Sequence, residues 1–507
     1  QVGVFDNFFE LGIDSILIIQ IVSRGRQAGL RLDPGLLFQH QTIAALARAI
    51  ADNGPDHSET AAEPIVPGSL LPGRDWEKLA GDGQAIEDAY PLSPVQQGML
   101  YHTLAAPSSG VYIEQFTCLL RGDLDLDAFE ASWRTLLTRH AALRTSIEGA
   151  HSDRPAQVVR RVVDLPLEHQ DWRTDSPSIQ AERLATFLKA DRIRGFDLSR
   201  APLLRLALLR EADDAARLVW SHHHIVMDGW CMPVLMMEFL ELYDAERSGL
   251  EPSLPTRRPF RDYIAWLQGQ NFDQAEAFWR LNLSGIRTPT PLGIDREDLS
   301  HRGDEPPPHE ERQMFLSAEA TDGLRTLAKG NQITLNTTVQ GAWAVLLSRY
   351  SGRNEVVFGV ASAGRPSDLT DSDEMIGLFI NTLPMRVAVS DEAELAPWLR
   401  QFQAGQAELR RLEATPLVQI QGWSEIPRGQ PLFESLFIFE NFPVDATLAS
   451  RAGRLGVEAV RFLDQTNYPL NIMAVPGAQL FIKVGYDPRR FEADVIDRLL
   501  GHLRTLL

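Results

Sequence analysis

Apolar positions along the chain recur at helical and strand spacings in alternation. Residues 16–22 are apolar except for Gln20, and polar residues follow from Ser23. So short a run fits helix or strand by periodicity alone, but Ser15 ahead of it and Ile16, Ile19 and Val22 at spacings of three favour a helix. A second helix is predicted over 43–50, with Ile43, Leu46, Ala47 and Ile50 as its apolar stripe. Asp33-Pro34 and Gly35 break the chain between the two. Together they predict a small α-helical domain over residues 1–53. Residues 54–87 read as a linker: Asn53-Gly54-Pro55 closes the helix, and the next stretch is rich in Ser, Glu, Ala and Pro. Leu70, Leu71 and Trp76 are apolar exceptions, which predicts that part of the linker packs on a neighbour.

From Tyr90 onward the two periodicities alternate. A helix is predicted over 129–140, with Phe129, Trp133, Leu136 and Leu137 on one face, and others over 232–243 and 338–350. Strands are predicted over 203–209, 218–220 and 355–361. Two mixed units of ~200 residues, 88–270 and 271–507, predict a two-lobed α/β protein. The Pro- and acid-rich stretch 287–311 is expected to cross between the lobes.

Composition narrows the function. The balance of 44% hydrophobic and 23% charged residues is that of a globular protein. A net charge of −19 offers no electrostatic footprint for a phosphate backbone, so nucleic acid is not expected as a partner. Cys118 and Cys231 make neither a disulfide framework nor a CxxC zinc pattern. Both are expected as buried, reduced thiols, which points to the cytoplasm. No apolar run approaches the ~20 residues needed to span a bilayer, and no secretory signal opens the chain.

Two stretches carry candidate chemistry. The first is Phe8-Phe9-Glu10-Leu11-Gly12-Ile13-Asp14-Ser15-Ile16. Ser15 suits a helix N-cap. The second is Ser221-His222-His223-His224-Ile225-Val226-Met227-Asp228-Gly229-Trp230, after a predicted strand and before a predicted helix. Three histidines and an acid suggest a metal site, but no second cluster with ligand spacing supports one. Buried core histidines are the other plain reading.

The first stretch resembles the phosphopantetheine attachment motif of peptidyl carrier domains. That resemblance implies 4'-phosphopantetheine covalently attached to Ser15 by a phosphopantetheinyl transferase. Two departures stand out. Ile13 occupies a position where the family usually has Gly, and the family's first helix is missing ahead of Gln1.

In the second stretch, His223, His224, Asp228 and Gly229 reproduce the HHxxxDG motif of condensation domains, with His222 an extra histidine upstream. Further motifs resemble that family in order: residues 90–100, Arg139-His140 with Leu143-Arg144-Thr145, Tyr263 and Trp266, residues 376–382, and Asn467-Tyr468-Pro469-Leu470. A stretch near 415–422 is a weak match. The resemblance, over nearly the whole chain, is to a nonribosomal peptide synthetase fragment, carrier followed by condensation domain. It implies a small α-helical domain joined to two lobes, each like chloramphenicol acetyltransferase, set in a V around a tunnel. An upstream adenylation domain and a downstream acceptor carrier are the implied partners.

The implied reaction is amide formation. A carrier-bound amine attacks a thioester that is already activated, so much of the barrier is removed by holding the two together. A neutral His224 would accept a hydrogen bond from the amine, positioning it or taking its proton. Asp228 is a candidate base, but is expected rather to hold the loop by pairing with a buried arginine, with Arg144 the candidate partner by resemblance. Gly229 is expected to allow close approach, or is an ordinary turn glycine. Trp230, Asn381 and Asn467 are assigned to the tunnel or its support.

An epimerisation domain shares the histidine motif, but Trp230-Cys231-Met232 does not suit one. A stand-alone acyltransferase is disfavoured by the attached carrier. A heterocyclising relative would have acids in place of the histidines, and a non-catalytic scaffold would have lost motif residues. Residues 90–100 and Asp14 resemble the subclass that accepts a D-configured donor.

Overall fold

The computed structural model describes residues 85–296, 309–440 and 453–507, the segments 3–8, 40–53 and 65–71, and scattered positions between 21 and 37. Ser15 and most of the helix predicted over 16–22 lie outside the described residues; Ile21 and Val22 are helical. Helix α1 (Ile43–Asn53) contributes Leu46 to a small core with Phe8, Val22, Leu32 and Leu37. Farther on, Leu70 and Leu71 pack against the larger domain, on Phe260 and Ile86 clusters respectively.

The first lobe runs through β1 (Ile86–Pro91), α2 (Pro94–Ala105), β2 (Ile113–Arg121), α3 (Leu126–Arg139), β3 (Thr145–Glu148), β4 (Ala156–Arg160), β5 (Leu167–Asp171), α4 (Pro177–Arg194), β6 (Leu204–Ala212), β7 (Ala215–His223) and α5 (Cys231–Ser248). The caps follow from sequence. Ser93 and Gln96 form a reciprocal capping box at the start of α2, and the Asp125 carboxylate accepts the Ala128 N–H at the start of α3. Gly249 closes α5 in the left-handed conformation. The apolar stripe of α3 packs on α5 and the sheet, with Trp133 edge-on to Trp220 at 4.8 Å. Arg139 and His140 both reach Glu238 on α5, at 2.8 and 2.7 Å, which locks the two helices together.

The chain continues through α6 (Arg261–Gln268), α7 (Asp273–Asn282), β8 (Glu310–Phe315), α8 (Ala318–Gly330), α9 (Leu335–Ser351), β9 (Glu355–Ser362), β10 (Asn381–Ala388), α10 (Leu395–Arg410), α11 (Leu417–Trp423), β11 (Ser435–Phe439), β12 (Gly456–Leu463), β13 (Leu470–Val475), β14 (Phe481–Tyr486) and α12 (Ala493–Leu506). Its sheet has the order β10-β9-β11-β13-β14-β8.

Two features differ from the sequence expectation. The crossing between lobes is not at 287–311: Trp279, Leu283 and Leu292 already sit in the second lobe's core, so the chain has crossed before α7. Proline and acid content mark a loop, not its destination. Second, β12 returns to the first lobe. The first lobe's sheet has the order β12-β2-β7-β6-β5, and β12 runs antiparallel to β2 with Phe462 opposite Phe116. The lobes are therefore stitched together by backbone hydrogen bonds as well as side chains.

Candidate active site

Strand β7 ends in His222 and His223, His224 opens the turn that follows, and the neighbouring strand β2 sets their directions. Their antiparallel register places Glu114 opposite His222 and Ile113 opposite His223. One step on, the His224 N–H donates to the Tyr112 carbonyl at 2.8 Å. Tyr112 holds φ at 62°, a left-handed conformation that is uncommon for a non-glycine residue. Because successive strand residues alternate faces, His222 and His224 share a face with Tyr112 and Glu114, and all four line a cavity of about 1080 Å³. His223 points the other way.

The hydrogen-bond partners settle the tautomers. His223 Nδ1 accepts the Ile225 N–H at 3.1 Å, so its proton is on Nε2, which lies 3.1 Å from Thr103 Oγ1. Burial and the neighbouring His224 push its pKa down to about 3, so this ring is neutral and structural. His224 is the reverse. Its Nδ1 lies 2.8 Å from the Met227 carbonyl, which can only accept, so Nδ1 carries the proton and Nε2 keeps its lone pair. His224 is half-buried in the cavity wall. Gln96, fully buried, donates to the Ile225 carbonyl at 2.8 Å and holds this turn from behind.

Asp228 ties the histidine turn to the second lobe. Its Oδ1 accepts from Arg365 Nη2 at 3.0 Å, and its Oδ2 accepts the Phe379 and Ile380 N–H groups at 2.9 and 3.3 Å. Both side chains of the ion pair are fully buried. Arg365 also donates to the Ser372 and Met375 carbonyls and lies over the Phe379 ring at 4.3 Å. With its oxygens so engaged, Asp228 is a strut rather than a base. The Cys231 thiol sits beside it, and burial pushes that thiol up to about 12.

The cavity lies between the lobes, with Met99 and Trp230 on one side and Glu413 and Tyr468 on the other. Residues 86–507 match the family described as Condensation domain, and residues 1–50 match the Phosphopantetheine attachment site. The chain belongs to the condensation-domain family. One of the linear gramicidin synthase subunits of Brevibacillus parabrevis is 40% identical over 477 residues, 94% of this chain and 9% of that protein. Bacitracin synthase 3 of Bacillus licheniformis is 34% identical over 434 residues, 85% of this chain and 7% of that protein. The chain thus spans less than a tenth of the length of these two relatives. A variant of the starter condensation domain of rhizomide synthetase, in complex with C8-CoA, shares the fold. Its TM-score is 0.70 at 20% identity, covering 82% of this chain and 94% of that one.

The condensation domain thus has the mixed α/β fold of its family, and the attachment-site match implies a 4'-phosphopantetheine on a serine. One residue assignment is corrected. Arg144 does not pair with Asp228. It is buried in the first lobe, where it donates to Glu87 at 2.7 Å and to the Leu137, Thr138 and Arg160 carbonyls, tying the end of α3 to β1 and β4. Resemblance gave Arg144 its candidacy; the carboxylate is met instead by an arginine from the other lobe, 137 residues away.

Gly229 and Trp230 line the cavity, and the Gly229 carbonyl accepts the Met232 N–H as α5 begins. Asn381 also lines it, but its amide donates to the Glu413 and Thr415 carbonyls, both at 2.8 Å, so it holds the wall rather than offering a free group. Asn467 accepts from the Tyr112 hydroxyl at 2.8 Å and faces His102. Sequence reasoning missed Arg365, Tyr112 and Glu114. Gly364-Arg365-Pro366 directly after a buried strand was the available signal for the first; the others needed the β2–β7 register. Among the described residues no cluster of His, Cys, Asp and Glu suits a metal ion, and no helix is long and apolar enough to cross a membrane.

Proposed function

We propose that this condensation domain joins two carrier-bound substrates, the amine of an acceptor aminoacyl group attacking the thioester of a donor held on Ser15. The observation that carries the reading is the free Nε2 lone pair of His224, fixed by its Nδ1 bond to Met227 and exposed in a cavity walled by both lobes. The thioester is already activated, so the protein's task is to bring the groups together and to manage protons. His224 Nε2 accepts an N–H of the amine, aligns its lone pair on the carbonyl carbon, and takes the proton as the C–N bond forms. His223 stays neutral and supports the turn, Asp228 fixes it to the second lobe, and Gly229 and Trp230 shape the wall where the reacting groups meet.

The partners that follow are a phosphopantetheinyl transferase, an upstream adenylation domain that loads the donor, and a downstream acceptor carrier. The setting is the cytoplasm. Residues 90–100 and Asp14 support a D-configured or glycyl donor. The test is single-turnover transfer between loaded carriers. Product is expected from the parent, with a loss of about 10²–10⁴-fold in His224→Ala at unchanged melting temperature. Near-normal turnover in that variant, with chemistry rate-limiting, overturns the role of His224.

A further inference from the structure

Two protons must leave the acceptor nitrogen on the way from ammonium to amide, and His224 offers one lone pair. The cavity wall holds a second group. Glu114 stands on β2 directly across from His222 and diagonal to His224, on the face that lines the cavity. Opposed strand residues bring their Cβ atoms to ~4.5–5.5 Å. His222 is only 4% exposed, and among the described residues its Nδ1 has no hydrogen-bond partner.

The titratable and charged groups facing Glu114 come from several elements: His222 at the end of β7, His224 in the turn after it, Arg192 on α4, Asp464 after β12, Glu440 after β11 and Lys483 on β14. Lys483 is committed elsewhere, to Asp464 at 2.6 Å and Glu311 at 3.3 Å. Burial, joined by Asp464 and opposed by His224, Arg192 and Lys483, pushes Glu114 up to about 7. An α-amine has a reference pKa of ~7.7–8.0, so proton exchange between the two is nearly balanced, whereas a carboxylate at its ordinary ~4.3 would be disfavoured by about 10³-fold.

We propose that Glu114 is the first proton acceptor for the incoming amine. The carboxylate takes one proton from the acceptor's ammonium, leaving a neutral amine and a carboxylic acid. The amine attacks, the C–N bond forms, and His224 takes the second proton. The C–S bond breaks, the departing thiolate receives that proton from His224, and Glu114 returns its own to solvent. This rests on the condensation reading.

The test is the pH dependence of single-turnover transfer in the parent, Glu114→Gln and Glu114→Asp, with melting temperatures alongside. Between about pH 7, above which the Glu114 carboxyl is ionised, and about pH 8, below which the amine arrives protonated, Glu114→Gln is expected to lose about 10²-fold, and the deficit should shrink well below about pH 7, where the carboxyl is itself protonated. The deficit should close above about pH 9, where the amine arrives neutral. Glu114→Asp keeps the acid and is expected to keep the parent's pH profile at a reduced rate. A merely structural role would give a deficit independent of pH; that result, or an unchanged Glu114→Gln profile, overturns the proposal. If Glu114→Gln does not fold, a Glu114→Asp profile that has lost the parent's limb near pH 7 overturns it as well. A parent that makes no product at any pH overturns the condensation reading itself, so the two failures are distinguishable.

Discussion

At the scale of single residues, the loss of the Asp228–Arg365 ion pair would be costly. Both side chains are fully buried, and the carboxylate also closes two backbone N–H groups of the facing loop. Replacing Asp228 by Ala strands a guanidinium without its counter-charge and orphans the Phe379 and Ile380 N–H groups. A loss of about 3–5 kcal/mol is expected, read as a lowered denaturation midpoint. Arg144→Ala removes a buried arginine too, but its partners are mostly carbonyls and the half-exposed Glu87. That substitution should destabilise the first lobe and leave the histidine turn in place. Asp228→Ala unfolding at the parent's midpoint would refute the strut. The need for a buried partner was legible in the motif, because an acid at a loop-to-helix turn must be satisfied. Its identity was not, because the partner comes from the opposite lobe and nothing in the local pattern encodes how the lobes dock.

At the scale of elements, the loop from Gly364 to Ile380 is the piece that brings the lobes into register. A Cβ at Gly377 would stand 2.0 Å from the Phe260 ring, which itself packs with Tyr90, Tyr263 and Phe379 between the lobes. Gly377→Ala must push this loop off the ring, and with it the N–H groups that hold Asp228. A destabilisation of about 1–3 kcal/mol is expected, with a loss of transfer activity beyond what stability explains. Gly501 is the contrast: it lies inside α12 with open space around its Cβ position. Gly501→Ala should be neutral or stabilising by up to about 1 kcal/mol, from helix propensity alone. Thermal denaturation of the two variants side by side decides whether steric fit or backbone entropy governs position 377. The helices with strong apolar stripes, α3 among them, were legible because the stripe is their reason for folding. The destination of β12 was not, since a period-two pattern says that a strand has a buried face but not which sheet completes it.

At the scale of the whole molecule, both lobes wall one cavity, and β12 makes them a single mechanical unit. Such a site can discriminate donors only where its wall touches the donor's side chain, because the reacting thioester and amine are common to all substrates. A side chain of the wrong hand, pressed against that wall, moves the thioester carbonyl off the amine's line of approach, and a misplacement of ~1 Å can cost about 10²-fold in rate. Glycine has no stereocentre and escapes the penalty. The proposed D- or glycyl-donor preference can be tested at this wall, since α2 begins within residues 90–100 and contributes Met99 and His102 to the cavity. With matched D-, L- and glycyl donors loaded on Ser15 and one acceptor, single-turnover transfer is expected to favour the D- and glycyl donors over the L-donor by about 10–10²-fold. Ser15→Ala, which should gain no arm by intact-mass measurement, fixes the background. A clear preference for the L-donor over both others would refute the proposed D- or glycyl-donor preference, while leaving the proposed role of His224 to its own test, because that role concerns the amine's proton and not the donor's side chain.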